Sequence, residues 1–307
     1  LGNFDLAVDG AKCSRILTPL PVNQNCTANL NPRMINVLFM GRKPVAAQAL
    51  TWLSKRDDVK VTGVITDSHL AVSPTRDVAQ RLGISVLSRE EMEEQVQSGK
   101  LQVDLAFSML YWQKIRAPLL QACSRGVINF HPAPLPDYKG TAGYNLAILE
   151  GLDHWAVSAH YVDQDIDTGA LIEVSRFPID IDYETAQSLE RKSQSELFTQ
   201  FQRVAEQAIR SPRILPTVPN VGGRYVSRQE MEAMKEMRPG DDVLRKIRAF
   251  WFPPYDGAYV VINGVKCTLV SPQILHSLAD STVSSLFTRS TTEENGSANV
   301  AARCDAG

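Results

Sequence analysis

The sequence predicts an α/β protein: a doubly wound, mostly parallel sheet with helices on both faces, followed by a small C-terminal β-rich module. Two observations carry this. From Met34 onward, short apolar runs alternate with stretches of helical spacing, as in strands buried on both faces and joined by crossover helices. Towards the C-terminus, two short apolar runs flank Asn263-Gly264, a strong hairpin signal. With 307 residues, 44% of them hydrophobic and 21% charged, the chain can build a real core and sits in the globular class.

Each element has a local reason. INVLFMG (35–41) is an apolar run ending in Gly, and Pro44 opens a helical pattern over 44–55, where its fixed φ suits a first turn. VKVTGVIT (59–66) is the second strand, and Ser73-Pro74 starts a helix reaching about Leu82. ISVL (84–87) and VDLAFSML (103–110) read as further strands, with the acidic helix REEMEEQVQS between them. PLLQACSRG leads into the strand GVINFH; TAGYNLAILEG is a helix closed by Gly151. WAVSAHYVD (155–163) and GALIEVSRFPI (169–179) read as two strands, followed by a long amphipathic helix over 185–209. SPRILPTVPNVGG (211–223) has the composition of a linker.

The expected organisation is therefore a catalytic domain over 34–210, a linker over 211–223 and a small subdomain over 224–280. Residues 1–33 lack any period and 281–307 are rich in Ser, Thr, Asn and Ala, so both read as disordered extensions. A formal charge of −2 gives no electrostatic reason to expect nucleic acid. No apolar run has the length of a membrane span. Five cysteines, scattered and without CxxC spacing, argue against a disulfide framework or a zinc site and suit a reducing cytoplasm.

The chemistry concentrates in VINFHPAPLPDYKG (127–140) and DQDIDTGALI (163–172). Side chains two apart on a strand share a face, so Asn129 and His131 project side by side into a stiffened Pro/Gly loop, with Phe130 turned away. An amide and an imidazole there can be turn furniture, or an oxyanion donor beside a proton acceptor. Three aspartates, 163, 165 and 167, crowd a turn that reads alone as a solvated acidic loop; Asp167 lies 36 residues after His131.

Taken together, NFHPAPLPDYKG and DIDTGALI resemble the formyltransferases that use 10-formyltetrahydrofolate, over about Met34 to Val270. Those enzymes act on methionyl-tRNA, glycinamide ribonucleotide or sugar nucleotides. The resemblance implies that Asn129, His131 and Asp167 are catalytic, and that no metal takes part. It also implies that the folate lies along Phe107, Ser108, Met109, Leu110 and Tyr111 and beside Asp163. HPAP and Lys139 depart from the loop of the tRNA enzymes without touching the triad.

For the acceptor, FWFPPYDGAY (250–259) resembles the nucleotide-sugar enzymes. The expected function is formyl transfer to an amino-deoxysugar on dTDP or UDP, in surface-polysaccharide biosynthesis. Trp251 and Tyr255 are the expected base-stacking rings, Arg42 and Lys43 the diphosphate contacts, and Lys139 and Gly140 further substrate contacts. Core packing and surface solvation compete for these positions. The expected partner is a small nucleotide sugar, with no nucleic acid or membrane and a homodimer left open. A methionyl-tRNA formyltransferase-like enzyme and a non-catalytic nucleotide-sugar sensor are the alternatives. Asp-Thr-Gly also occurs in aspartic proteases, but the alternating α/β pattern rejects that fold.

Overall fold

The computed structural model describes residues 34–67 and 69–278; the expected extensions 1–33 and 281–307 lie outside them. Seven strands come first in the chain: β1 (Ile35–Gly41), β2 (Val59–Ile65), β3 (Leu105–Met109), β4 (Val127–His131), the short β5 (Tyr138–Gly140), β6 (His154–Tyr161) and β7 (Leu171–Pro178). All but β5 form one sheet in the order β2-β1-β3-β4-β6-β7. The first four are parallel, and β6 and β7 run antiparallel to their neighbours. The chain reverses its direction of winding between β1 and β3, so a crevice opens beyond their carboxyl ends, where open α/β sheets bind ligands.

The helices form where the sequence signals place them. Helix α1 (Lys43–Ser54) carries Pro44 in its first turn and buries Val45, Ala46, Ala49, Leu50 and Leu53, one face at helical spacing. Ser73 caps α2 (Pro74–Arg81), and Ser88 with Glu91 forms a capping box on α3 (Arg89–Gln97). Two short helices follow, α4 (Ala117–Ala122) and α5 (Gly143–Leu149). The long α6 (Ala186–Arg210) lays Leu189, Leu197, Phe201, Val204 and Ala208 against the sheet. Phe201 meets Phe39, Phe107 and Phe130 edge-on, with centroids 6.5, 5.4 and 5.1 Å away. That aromatic cluster holds Phe130 inward, which turns Asn129 and His131 to the other face.

Three expectations are revised. ISVL (84–87) makes only a bridge between Val86 and Val64, because Gly83 in a left-handed turn and the cap Ser88 leave too few residues for a strand. Phe107 and Met109 are fully buried in the main core; the β3 alternation leaves Ser108 alone of the three facing the crevice. The stretch 211–223 runs along the catalytic unit and bonds to it. Leu215 N–H donates to Tyr161 Oη at 2.7 Å, and Leu171 and Val218 exchange both backbone bonds at 2.9 Å.

The chain then enters β8 (Arg224–Val226), which pairs in parallel with β5. Beyond it come α7 (Arg228–Ala233), α8 (Val243–Phe250), the hairpin of β9 (Tyr259–Ile262) and β10 (Val265–Thr268), and α9 (Pro272–Leu278). Asn263 and Gly264 take φ of 49° and 79°, as a two-residue type I′ turn requires. No described helix is long and apolar enough to cross a membrane, and no metal-holding cluster of His, Cys, Asp or Glu occurs among the described residues.

Candidate active site

Asn129 and His131 leave the end of β4 side by side, and the antiparallel register sets His160 opposite Asn129 and Ser158 opposite His131. Strand β6 also fixes the loop after β4. Ser158 Oγ accepts from Leu135 N–H at 3.0 Å and donates to the Ala133 carbonyl at 2.7 Å, while Trp155 Nε1 donates to the Pro132 carbonyl at 3.1 Å. The proline-rich loop is thus pinned from beneath, and His131 has a fixed base.

Hydrogen bonding assigns the tautomers. His160 Nδ1 lies 2.8 Å from the Tyr161 carbonyl and must donate to it. In the neutral ring Nε2 is then an acceptor, so the neighbour at 3.1 Å is the Asn129 amide nitrogen. One Asn129 N–H is held by His160 and the second is left to face the cleft. His131 Nε2 donates to the Tyr138 carbonyl at 2.8 Å, which leaves the Nδ1 lone pair facing Asp167 Oδ1 at 3.5 Å.

Asp167 sits in a tight turn with φ of 57°. Its Oδ1 is also 3.7 Å from His160 Nε2, and its Oδ2 accepts the Gly140 N–H at 3.2 Å. Burial alone would raise this carboxyl, but the charge that His131 carries once protonated, the nearby His160 ring in its donating form and the Gly140 N–H outweigh it and hold it at about 2. Gly140 has φ of 89°, and a Cβ there would stand 2.5 Å from the Val226 carbonyl oxygen. Only glycine lets β5 and β8 close at that point. Strand β5 therefore serves both members of the pair, with the Tyr138 carbonyl on the imidazole and the Gly140 N–H on the carboxylate.

The sign of the Asp167 shift fixes a pH prediction. A carboxyl held below its ordinary 3.8 stabilises the fold fully above that value and loses the contribution as pH falls towards about 2. The contribution is about 2 kcal/mol. Urea unfolding between pH 5 and 2 is expected to fall less steeply for Asp167→Asn than for the wild type; parallel curves would mean the native carboxyl is not held down.

Two clefts are candidates for the substrates. One is lined by Ser108, Tyr111, Asn129, His160, Asp163 and Asp167, together with Ile115 and Val162. Here Tyr111 is half-buried, which pushes its hydroxyl up to about 12, and it donates to Gln113 at 2.9 Å. Asp163 closes its own turn, with Oδ1 accepting from Thr168 Oγ1 at 2.5 Å and Asp165 N–H at 3.1 Å. Leu110 offers its backbone, with φ of 54° and its carbonyl bound to Arg42 Nε at 3.0 Å.

The second cleft, about 290 Å³, is lined by Arg42, Lys43, Tyr144, Glu190, Arg228, Phe252 and Tyr255 among others. Lys43 is ion-paired with Glu190. Arg42 and Arg228 have no carboxylate partner among the described residues. A shallower groove of about 380 Å³ on α1, α2 and α6, lined by Ala47, Trp52, Val78 and Phe198, contains no candidate catalytic group, and the chemistry decides for the other two.

The expected site residues divide accordingly. Asn129, His131 and Asp167 converge; Ser108, Tyr111 and Asp163 line the first cleft, and Arg42, Lys43 and Tyr255 the second. Phe107 and Met109 belong to the core. Lys139 points away, donating to the Gly222 carbonyl at 2.8 Å, and Gly140 acts on Asp167 rather than on an acceptor. Trp251 and Phe252 both pack half-buried against the main core, and Phe252 rather than Trp251 lines the second cleft, because α8 ends at Phe250 and resets the facing of the rings beyond it. His160 was not anticipated. Its signal is the alternation of HWAVSAHY, which puts His160 and Ser158 on one face.

The formyl transferase family model matches residues 33–203. A methionyl-tRNA formyltransferase of Symbiobacterium thermophilum is 30% identical over 74% of this chain and 72% of its own. A 4-N formyltransferase from Francisella tularensis has a similar fold, with TM-score 0.65 at 19% identity, covering 78% of this chain and 98% of the other. So does an N-formyltransferase from Helicobacter canadensis solved with folinic acid and dTDP-3-aminofucose, with TM-score 0.61 at 24% identity over 76% and 86% of the two chains. The family model spans more than half of the chain, and the fold agrees with it: the chain belongs to the formyl transferase family.

Proposed function

We propose that this formyltransferase moves the formyl group of 10-formyltetrahydrofolate onto the amino group of a nucleotide-linked amino-deoxysugar. The observation that carries the acceptor is the second cleft, where Arg42 and Arg228 share a lining with Phe252 and Tyr255, and with Thr141 just beyond the Gly140 that binds Asp167. Two arginines without carboxylate partners suit a diphosphate, and the exposed Tyr255 ring beside the half-buried Phe252 suits a base. The complex of the Helicobacter protein with dTDP-3-aminofucose supports the same reading. The first cleft fits the folate: apolar Ile115 and Val162 can flank a flat heterocycle, and Asp163 and Asp165 can accept its N–H groups. The folate supplies the formyl carbon and the departing nitrogen.

The chain's residues do the rest. As the amine nitrogen bonds to the formyl carbon, it must shed a proton while charge gathers on the formyl oxygen. His131 takes that proton at Nδ1, where it lands beside Asp167. The unengaged Asn129 N–H meets the developing oxyanion, a contact worth roughly 3–4 kcal/mol. The carbon–nitrogen bond to the folate then breaks, and the proton held at His131 returns to the departing nitrogen. Asp167, ionised at any assay pH, orients the ring and balances its charge.

Mass spectrometry of a panel of amino-sugar nucleotides incubated with enzyme and 10-formyltetrahydrofolate tests this reading. At least one is expected to gain a formyl group. A panel left unmodified while charged initiator tRNA is formylated would return the substrate to the one named for the Symbiobacterium relative. The rings allow a finer test. Tyr255→Ala and Phe252→Ala are each expected to raise the acceptor KM about five- to hundredfold, with the folate KM and turnover little changed. Unchanged acceptor constants in both would remove the rings from the site.

A further inference from the structure

The turn that delivers Asp167 is bound from two sides. At its front, Asp163 accepts from the Thr168 hydroxyl and the Asp165 N–H. At its back stands Asn220, in the stretch whose composition reads as a spacer. The Asn220 side-chain nitrogen donates to the Asp167 carbonyl at 3.0 Å and to the Gly169 carbonyl at 2.9 Å. Both N–H groups of one amide thus bracket the backbone of the catalytic carboxylate, while Asn220 Oδ1 is buried with no partner among the described residues. The amide is held by its donors alone, and they point only at this turn.

The surroundings make Asn220 stiff. Two residues before it, Val218 is paired with Leu171; two residues after it, the Gly222 carbonyl accepts from Lys139. The chain then enters β8, whose partner β5 carries the Tyr138 carbonyl and the Gly140 N–H. Asp167 has a left-handed φ, a conformation that costs a non-glycine residue free energy and persists only where its surroundings impose it. Two backbone carbonyls fixed on either side of Thr168 impose it.

We infer that Asn220 is a positioning residue for formyl transfer: it holds the Asp167 turn in register with His131 from a segment outside the catalytic motifs. It touches neither cleft, so it acts on the rate and not on the binding of either substrate. This inference rests on Asp167 belonging to the catalytic centre.

Asn220→Ala is expected to lower kcat about tenfold to a hundredfold, as misplacement of a catalytic group by about 1 Å does, with both KM values within about twofold. Asn220→Gln, which keeps the two donors on a longer arm, is expected to recover part of that loss. The decisive measurement is a double-mutant cycle by single-turnover kinetics in the Asp167→Asn background, where Asn220→Ala should cost almost nothing more. An Asp167→Asn enzyme of wild-type turnover overturns the catalytic reading itself. A crippled Asp167→Asn enzyme that loses the full factor again on Asn220→Ala overturns only the positioning role, as does an unchanged kcat in the single variant. Should the alanine variant not fold, Asn220→Gln in the same cycle separates the same outcomes.

Discussion

His131→Ala is expected to lower turnover by at least about a hundredfold and to leave the fold in place. The ring is buried, but its loss removes polar contacts at a strand end rather than core packing: one bond to the Tyr138 carbonyl and the approach to Asp167. The amine then has no acceptor for its proton, since Asp167, held at about 2, is a far weaker base than an imidazole at neutral pH. Asn129→Ala removes the remaining oxyanion donor and, with it, the partner of His160 Nε2; about a hundredfold loss is expected there too. Asp167→Ala leaves the imidazolium that forms at His131 without its counter-charge, and a loss of the same order is expected. Steady-state rates at saturating substrates, with circular dichroism and melting curves on each variant, check all three. A well-folded His131→Ala protein with near-normal turnover would mean that the proton leaves by another route.

Much of this centre is legible in the sequence, and the boundary has physical causes. Asn129 and His131 lie on one face because strand geometry has a fixed period of two. Their turning away from the aromatic cluster comes from Phe130 being apolar and held in the core. The Asp167 turn is legible because its residue types and spacing repeat a family pattern. His160 is not, because its place depends on the β4–β6 register, which no local pattern states. Asn220 escapes for the opposite reason: its neighbours are proline, valine and glycine, a composition that signals a spacer, although those residues shape a strap hydrogen-bonded along its length. Trp251 is misplaced because helical period stops at Phe250, and beyond it the facing of each ring is set by tertiary packing alone. Phe107 and Met109 turn their side chains into the core for a simpler reason. Every second residue of a strand between two helical layers faces one of two cores, and only Ser108 has the right parity.

Gly169→Ala is expected to cost both stability and rate, and it ties the motif to the geometry. In the sequence the glycine of Asp-Thr-Gly opens the predicted strand 169–179. The structure gives it a steric role. A Cβ at Gly169 would stand 1.8 Å from the carbonyl oxygen of Tyr161 and 2.8 Å from its carbonyl carbon. Both are backbone atoms of β6, so no side-chain rotation can relieve the contact. Either the end of β6 or the turn must shift by more than about 1 Å to restore a normal contact. The strand is anchored at that point by Tyr161 N–H on the Ala170 carbonyl and by the Tyr161 hydroxyl on Leu215, so the turn is the part that gives. Asp167 moves with it, away from a His131 Nδ1 that it already meets at only 3.5 Å, and the Asn220 amide loses its hold on the Gly169 carbonyl. Overpacking of this kind costs about 1–3 kcal/mol, and displacement of the carboxylate by about 1 Å costs about a hundredfold in turnover. Denaturant titration reads the first and kcat the second. Wild-type turnover in a destabilised Gly169→Ala protein would show that β6 yields instead of the turn, and that the placement of Asp167 tolerates it.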